Sequence, residues 1–538
     1  MAPKAKEENG SGRSGGLAQR ALPTLRWAAG GVLVAGLASR ALGLLREMLI
    51  ANAFGVSGDL DALYLGLALP LAIVVGTGGG LSRAVVPVAS ALKDTRFAGL
   101  MEAGTRRVVR VLGPLSLVLA ASAILWAPLL AVGEADVPTR TLIVAAAVGA
   151  LAMLGGSLSG FYVGLVNARG LHVTASSNAL LYNGIICACV YFLSARLGIM
   201  SLLLAIFLAE WLQLAVHWPV LRGALRKVRP LVDLRDLDAV QAMFWPAAAL
   251  GIATGFNLLV DRAFATMTEQ GAVAALTYAD KLVTLPAGLL GAALAAPLFT
   301  RLSRFHKAGQ MVEFRHTMTL GVRIMLFAGM PAAVLMAGVA EPAIGILLQR
   351  GAFTLDGVEL CGTAMRGYAP GVPFRAMTVL LLGAGLAARR PWWIVWIVLA
   401  TTLLNGVLDY VFVKHAGLLG IALATTVVGI VRSAVMIGIV DLRLLFGREL
   451  WRSVMRTVVY GLALALPLST LHAVPGLMTT QSFWMRVALV IGGTLFACIV
   501  TALLWKPLLK PEWNSLRKLR LDVARAAQSL AEPERTES

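Results

Sequence analysis

The sequence predicts an all-α polytopic membrane protein of about fourteen transmembrane helices, arranged as two six-helix lobes in pseudo-twofold repeat plus two C-terminal helices. Three observations predict it. Of 538 residues, 58% are hydrophobic and only 14% charged, where soluble proteins carry about 25% charged residues. The apolar runs exceed about 18 residues, which suits helices and not the roughly 10-residue alternating strands of a membrane barrel. The basic residues fall in alternate loops, as the positive-inside rule requires of a multi-pass chain.

Residues 1–26 are polar, basic and low in complexity, without a short apolar core and cleavage site, so they read as a disordered cytoplasmic tail. Apolar spans follow near 27–52, 60–90, 108–132, 140–166, 173–194 and 199–220, then near 240–267, 272–299, 319–348, 359–386, 392–413 and 417–440, and last near 454–473 and 484–505. The second and tenth are the least regular. The domains expected from this are an N-terminal lobe over 27–221, a cytoplasmic linker over 222–238 and a C-terminal lobe over 239–445. Two additional helices fill 446–508, and a cytoplasmic tail ends the chain at 509–538. With the N-terminus inside, the cytoplasmic loops hold groups such as Arg106, Arg107 and Arg110, or Arg301, Arg304 and Lys307. The opposite loops hold only Arg140, Arg196, Arg350, Lys414 and Arg486, among acids such as Glu134, Glu269 and Asp356. Both termini are therefore expected in the cytoplasm.

The formal charge of +19 belongs mainly to these loops. It reads as a topology signal and as contact with anionic lipid headgroups, not as a nucleic-acid surface. Cys187, Cys189, Cys361 and Cys498 lie in or beside apolar runs without metal-site spacing and read as small packing residues. A weak repeat supports the lobes. "DALYLGLALPLAIVVG" and "TYADKLVTLPAGLLG" each hold a Leu-Pro, at Pro70 and Pro286, followed shortly by glycine.

The first span carries charges that its setting penalises, since a charge at the bilayer centre costs at least about 2.5 kcal/mol on insertion scales. On a helical projection Ser39, Arg40, Gly43, Arg46 and Glu47 share one face, with Leu37, Ala41, Leu44, Leu45 and Met48 on the other. Arg40 falls near mid-membrane, with Arg46 and Glu47 about 9–10 Å nearer the outer face. Two plainer readings stand beside a functional one: Arg46 and Glu47 anchor the helix end, and Arg40 pairs structurally with an acid such as Asp61. The other spans hold Asp61, Arg83, Asp261, Arg262, Asp280, Lys281, Arg323, Arg366, Arg375 and Arg432; with Arg40, Arg46 and Glu47 counted, nine basic residues face four acids. Internal ion pairs do not cancel that surplus. A cation pore shows the opposite excess, and bidentate arginine suits phosphate oxygens. A cavity for an anionic substrate is expected.

The second span contains "VVGTGGGLSRAVVP", with Gly76, Gly78, Gly79 and Gly80 inside five positions. Each weakens a helix by about 1 kcal/mol relative to alanine. A broken or bending helix is expected here, with Pro70 and these glycines as a hinge and Glu47 in the gate. Close helix contact and phosphate cradling are the alternatives. The chain has no HExxH, Walker loop or His/Cys cluster. It reads as a transporter and not an enzyme, driven by a gradient or potential. No cofactor is expected, and a monovalent coupling ion is left open.

The runs "SRALGLLREMLIANAFG", "DLDALYLGLALP" and "LSRAVVPV" come first. They are followed in order by "YADKLVTLPAGLLGAALAAPLFTRLS" at 278–303, "LLQRGAFT" at 347–354 and "KHAGLLGIALATTVV" at 414–428. Together they resemble the MurJ (MviN) lipid II flippase family of the multidrug/oligosaccharidyl-lipid/polysaccharide (MOP) exporter superfamily. The resemblance implies two lobes around a central cationic cavity, two extra helices forming a lipid-tail groove, and alternating access. It also implies a monomer in the bacterial cytoplasmic (inner) membrane. That protein would move undecaprenyl-pyrophosphate-linked peptidoglycan precursor outward, in contact with membrane lipids and the cell-wall synthesis machinery. By position, Arg40 and Arg46 match family cavity arginines, Asp61 the second-helix aspartate and Lys281 a cavity cation. Ser39 and Arg83 complete the expected substrate-binding set. Where family members carry arginines after the Leu-Pro and a Gly-Glu-Gly-Ala-x-Ser-Gln type run, this chain reads "LAIVV" and "GTGGGLSR". A flippase for another lipid-linked oligosaccharide, a multidrug or cation antiporter and a non-transporting scaffold are the competing readings.

Overall fold

The computed structural model describes residues 36–133, 136–225, 229–387, 391–440, 447–472 and 482–504, together with 474, 476–478, 510 and 517. The expected tail 1–26, the start of the first span and nearly all of 509–538 lie outside the described residues. Among the described residues the secondary structure is helical throughout, without strands.

The first span is α1, residues 36–54. The second is α2, Gly58–Ala89. Ser57 starts it, its Oγ accepting the Leu60 amide at 3.4 Å, and Asp59 and Asp61 occupy the first turn, where the helix dipole favours acids. The expected break is not found. α2 runs unbroken through Pro70, the four glycines, Arg83 and Pro87.

Packing explains this. A Cβ on Gly76 would stand 2.7 Å from the main-chain oxygen of Ala248, and one on Gly80 would stand 3.0 Å from the Ala248 nitrogen. Ala248 belongs to α8, Leu234–Ala265. On the other side, a Cβ on Gly78 would stand 3.0 Å from the oxygen of Gly156 in α5, Thr139–Ala168. Missing side chains let three backbones close up, and that contact offsets the poor helix propensity. Pro70 is likewise a packing residue, with its Cγ against Gly149 of α5.

α3, Asp94–Ala121, meets the short α4, Ala123–Trp126, at a bend of 57°. α6, His172–Leu197, turns into α7, Met200–Leu225, at Gly198, whose φ is +53°. The described part of the linker lies against α3: the Leu231 amide donates to the Thr95 oxygen at 2.9 Å. Arg96 grips Asp236 in α8 through two hydrogen bonds of 3.0 and 2.6 Å. Next come α9 (Ala272–Lys307), α10 (Met311–Gly338), α11 (Ala340–Leu348), α12 (Leu355–Tyr368) and α13 (Val372–Ala387). α14 (Pro391–Val440), α15 (Arg448–His472) and α16 (Phe483–Leu503) complete the order.

Among the described residues ten helices are long and apolar enough to cross a membrane, and an eleventh span arises if the bent α3–α4 pair is taken together. The expected tenth span is divided into α12 and α13 by a 3-10 turn at Ala369–Gly371. The expected eleventh and twelfth spans run together as α14, interrupted at Gly417 with φ +54°. At 1.5 Å per residue α14 would extend about 75 Å, more than twice a bilayer core of about 30 Å.

α9 begins in an unusual way. Gly271 sits before it with φ +89°, and no neighbouring side chain in its own loop caps it. The cap comes from α2. Asp61 accepts the amides of Gly271 at 2.6 Å and Ala274 at 2.7 Å, one on each carboxylate oxygen.

Candidate substrate cavity

α1 and α9 face each other across a cavity of about 230 Å³ lined by Arg40, Gly43, Arg46, Glu47, Asp280 and Lys281, among others. Glu47 is its centre and is 5% exposed. Its Oε1 accepts Arg46 Nε at 2.9 Å and also contacts Arg46 Nη2, while its Oε2 accepts Lys281 Nζ at 2.8 Å. Arg46 Nη1 donates to Asn183 Oδ1 of α6 at 2.8 Å. Tyr64 of α2 places its ring centroid 5.0 Å from Lys281 Nζ. A buried carboxylate shared by two cations is stable only because each lone pair in use meets a donor. One carboxylate between two cations leaves one net positive charge. Arg40 adds a second, being exposed to the cavity and without an ion pair among the described residues. Asp280 does not offset this, because it is paired with Arg375 of α13, whose Nη1 also donates to Thr284 Oγ1 at 3.0 Å.

The structure thus brings Arg40, Arg46, Glu47 and Lys281 together. It places the other expected residues elsewhere. Asp61 is no cavity residue: both its oxygens are taken by the start of α9, and among the described residues it pairs with no arginine. Ser39 meets the site only through its main-chain oxygen, which accepts Asn183 Nδ2 at 3.1 Å. Arg83 lies on α2 about 29 Å from Tyr64 at 1.5 Å per residue, exposed and folded back over Gly79. The glycines and Pro70 are packing positions, as described. Glu47, expected in the gate, is the acceptor that holds the two cavity cations. Arg366 and Arg375 serve separate sites because their helix is broken between them, and Arg366 pairs with Glu341 at 3.0 Å.

The expected charge ledger needs correction. Glu210 of α7, Glu341 of α11 and Asp409 of α14 are buried acids within helices that the count of four left out. The basic surplus is therefore local to a few arginines. Asp409 belongs to a cluster that the sequence reading missed. Asn405 Nδ2 bridges Asp261 Oδ1 at 2.5 Å and Asp409 Oδ2 at 2.7 Å, and Thr425 Oγ1 donates to Asp261 Oδ2 at 2.9 Å. Asn405 Oδ1 and Asp409 Oδ1 are buried without partners. The spacing of Asn405 and Asp409, one helical turn apart in an apolar span, was the available signal.

Residues 50–492 match the family profile described as lipid II flippase MurJ. The chain is 27% identical over 437 residues to the probable lipid II flippase MurJ of Vibrio cholerae, covering 76% of this chain and 81% of that protein. It is 26% identical over 407 residues to the lipid II flippase MurJ of Burkholderia cenocepacia, covering 71% and 78%. Among solved structures, a lipid II flippase MurJ in an inward closed conformation superposes with a TM-score of 0.72 at 19% identity, over 89% of this chain and 99% of that one. An inward-facing multidrug resistance MATE transporter of the MOP superfamily gives 0.63 at 14% identity, over 75% and 94%. The structural likenesses carry the fold, and the profile match, across most of the chain, carries the kinship: this protein belongs to the lipid II flippase MurJ family.

Proposed function

We propose that the chain flips lipid II, moving the undecaprenyl-pyrophosphate-linked precursor from the inner to the outer leaflet of the cytoplasmic membrane. Two lobes, 27–221 and 239–445, alternate access to the cavity as a monomer with both termini cytoplasmic. The observation that carries this reading is Glu47 holding Arg46 and Lys281 beside the unpaired Arg40. A diphosphate offers the same oxygens as Glu47 in greater number, so it competes for both cations and draws in Arg40. The cavity of about 230 Å³ lies below the usual ligand-pocket range of about 300–1,000 Å³. It suits a small anionic group, and the saccharide needs a more open state. A second hollow of about 610 Å³ between α10 and α16, lined by Pro331, Leu335 and Ala497 among others, suits the prenyl chain.

The coupling ion fits the Asp261–Asp409 cluster. The Asn405 amide now stands where a cation would, donating to both carboxylates. Rotating that amide by half a turn replaces its donor with an oxygen and makes an all-oxygen cage with Thr425, suited to a hard monovalent cation.

The deciding experiment is survival of a bacterium depleted of its own lipid II flippase, with this chain and its Arg40→Ala variant at matched abundance. Rescue by the wild type alone is expected. Failure of the well-inserted wild type shifts the reading to another lipid-linked saccharide, for which the altered second-helix run and Arg83 are the motive.

A further inference from the structure

Arg262 of α8 is 5% exposed and, among the described residues, makes no ion pair. Its Nη1 donates to the main-chain oxygen of Tyr64 at 2.8 Å, its guanidinium carbon lies 5.4 Å from the Tyr64 ring centroid, and its Nε is buried without a partner. The Tyr64 hydroxyl is also buried without a partner. One carbonyl and one ring face do not compensate a buried charge, and such a charge within a membrane marks a working site. The nearby carboxylates are engaged elsewhere: Asp261 with Asn405 and Thr425, and Asp280 with Arg375. The other groups in electrostatic reach are Tyr64, Tyr368 and the Lys281 ammonium, none of them an anion at neutral pH.

Depth gives this orphan cation a place in a series. With α1 ending and α2 starting at the outer face, Tyr64 lies about 9 Å below it, Arg46 about 12 Å and Arg40 about 21 Å, at 1.5 Å per residue. Arg262, bonded to Tyr64, is therefore the next cation outward from Arg46 and Lys281. It sits at the outer part of the seam between α2 and α8, whose inner part is closed by the Gly76 and Gly80 contacts.

We propose that Arg262 is an exit-side anion contact. When the α2–α8 seam opens outward, Arg262 exchanges the Tyr64 carbonyl for the lipid diphosphate released by Arg46 and Lys281, and the Tyr64 hydroxyl supplies a second donor. The ligand class is a prenyl-linked diphosphate, and the proposal rests on the flippase reading above.

The test uses full-length protein and fluorescent lipid II as probe, with binding measured in detergent and flipping in proteoliposomes, for wild type, Arg262→Met, Arg262→Lys and Tyr64→Phe. Arg262→Met is expected to bind within about twofold of wild type yet flip at least about tenfold more slowly, the scale of one charge-assisted hydrogen bond. Arg262→Lys should recover most of the rate, and Tyr64→Phe, which keeps the ring, should be slowed to an intermediate degree. Arg262→Met flipping at the wild-type rate overturns the proposal. So does Arg262→Lys remaining as slow as Arg262→Met when both are folded, or binding and thermal stability falling together in Arg262→Met without recovery in Arg262→Lys. A wild type that does not flip the probe overturns the flippase reading first, and this proposal with it.

Discussion

Glu47 Oε2 lies 2.8 Å from Lys281 Nζ, and this ion pair joins α1 in the first half of the chain to α9 in the second. On the proposed reading, the substrate's anion would have to break it or share it. Glu47 would then be an internal competitor, keeping two cations in place before the ligand arrives and displacing the ligand afterwards.

Glu47→Gln removes the competitor's charge and leaves Arg46 and Lys281 uncompensated. Lipid diphosphate should bind about tenfold tighter, as expected for one charge-assisted contact of about 1.5–3 kcal/mol no longer opposed, while flipping slows because release is impeded. Binding in detergent set against flipping in liposomes checks this. Weaker binding would contradict the competitor role.

Arg40 has no ion-pair partner among the described residues, so its loss should separate function from folding. Arg40→Ala should leave the unfolding midpoint essentially unchanged and cut flipping about tenfold or more. Lys281→Ala should do both kinds of harm, because it strips one of two counter-charges from a carboxylate that is 5% exposed. Thermal unfolding of the two purified variants distinguishes them.

Gly76→Leu should drive α2 and α8 apart and reduce folded protein in the membrane, since even a Cβ at Gly76 meets the Ala248 oxygen at 2.7 Å. Gly79→Ala should be silent, because its Cβ meets only the end of the flexible Arg83 side chain at 3.5 Å. Membrane abundance and flipping of both variants would show whether the glycine run is a packing surface. A hinge would make Gly79→Ala harmful as well.

Asp61→Ala should cost about 1–2 kcal/mol or more of stability, the scale of a lost helix cap and of two backbone donors left unmet. The surviving folded protein should bind lipid diphosphate as wild type does. An affinity loss larger than the stability loss explains would return Asp61 to the cavity.

The membrane helices were legible because apolar length and loop charge are properties of the chain itself. The cationic face of α1 was legible for the same reason: helical spacing alone puts Arg40, Arg46 and Glu47 on one side. Partnership was not legible. Nothing local says that Glu47 takes Lys281, or that Asp61 accepts the amide of Gly271, 210 residues later. The glycine run misled because propensity describes an isolated helix, and here two neighbouring backbones use the missing side chains. Asp409 and Asn405 were within reach of the same spacing logic but were passed over in an apolar stretch.

The cap that Asp61 places on α9 has a mechanical consequence. Lys281 rides on α9, and the start of α9 is pinned to α2 by two short hydrogen bonds. If the halves rock open toward the inner face while those bonds hold, the Asp61 junction stays nearly still and acts as a fulcrum. Points farther down α9 then swing through arcs that grow with their distance from it. Lys281, about 14 Å from the pivot at 1.5 Å per residue, is near enough to keep its grip on an anion through the early swing. The inner ends of α2 and α9, about 42 and 54 Å from the pivot by the same rise, would sweep widely enough to admit a sugar headgroup.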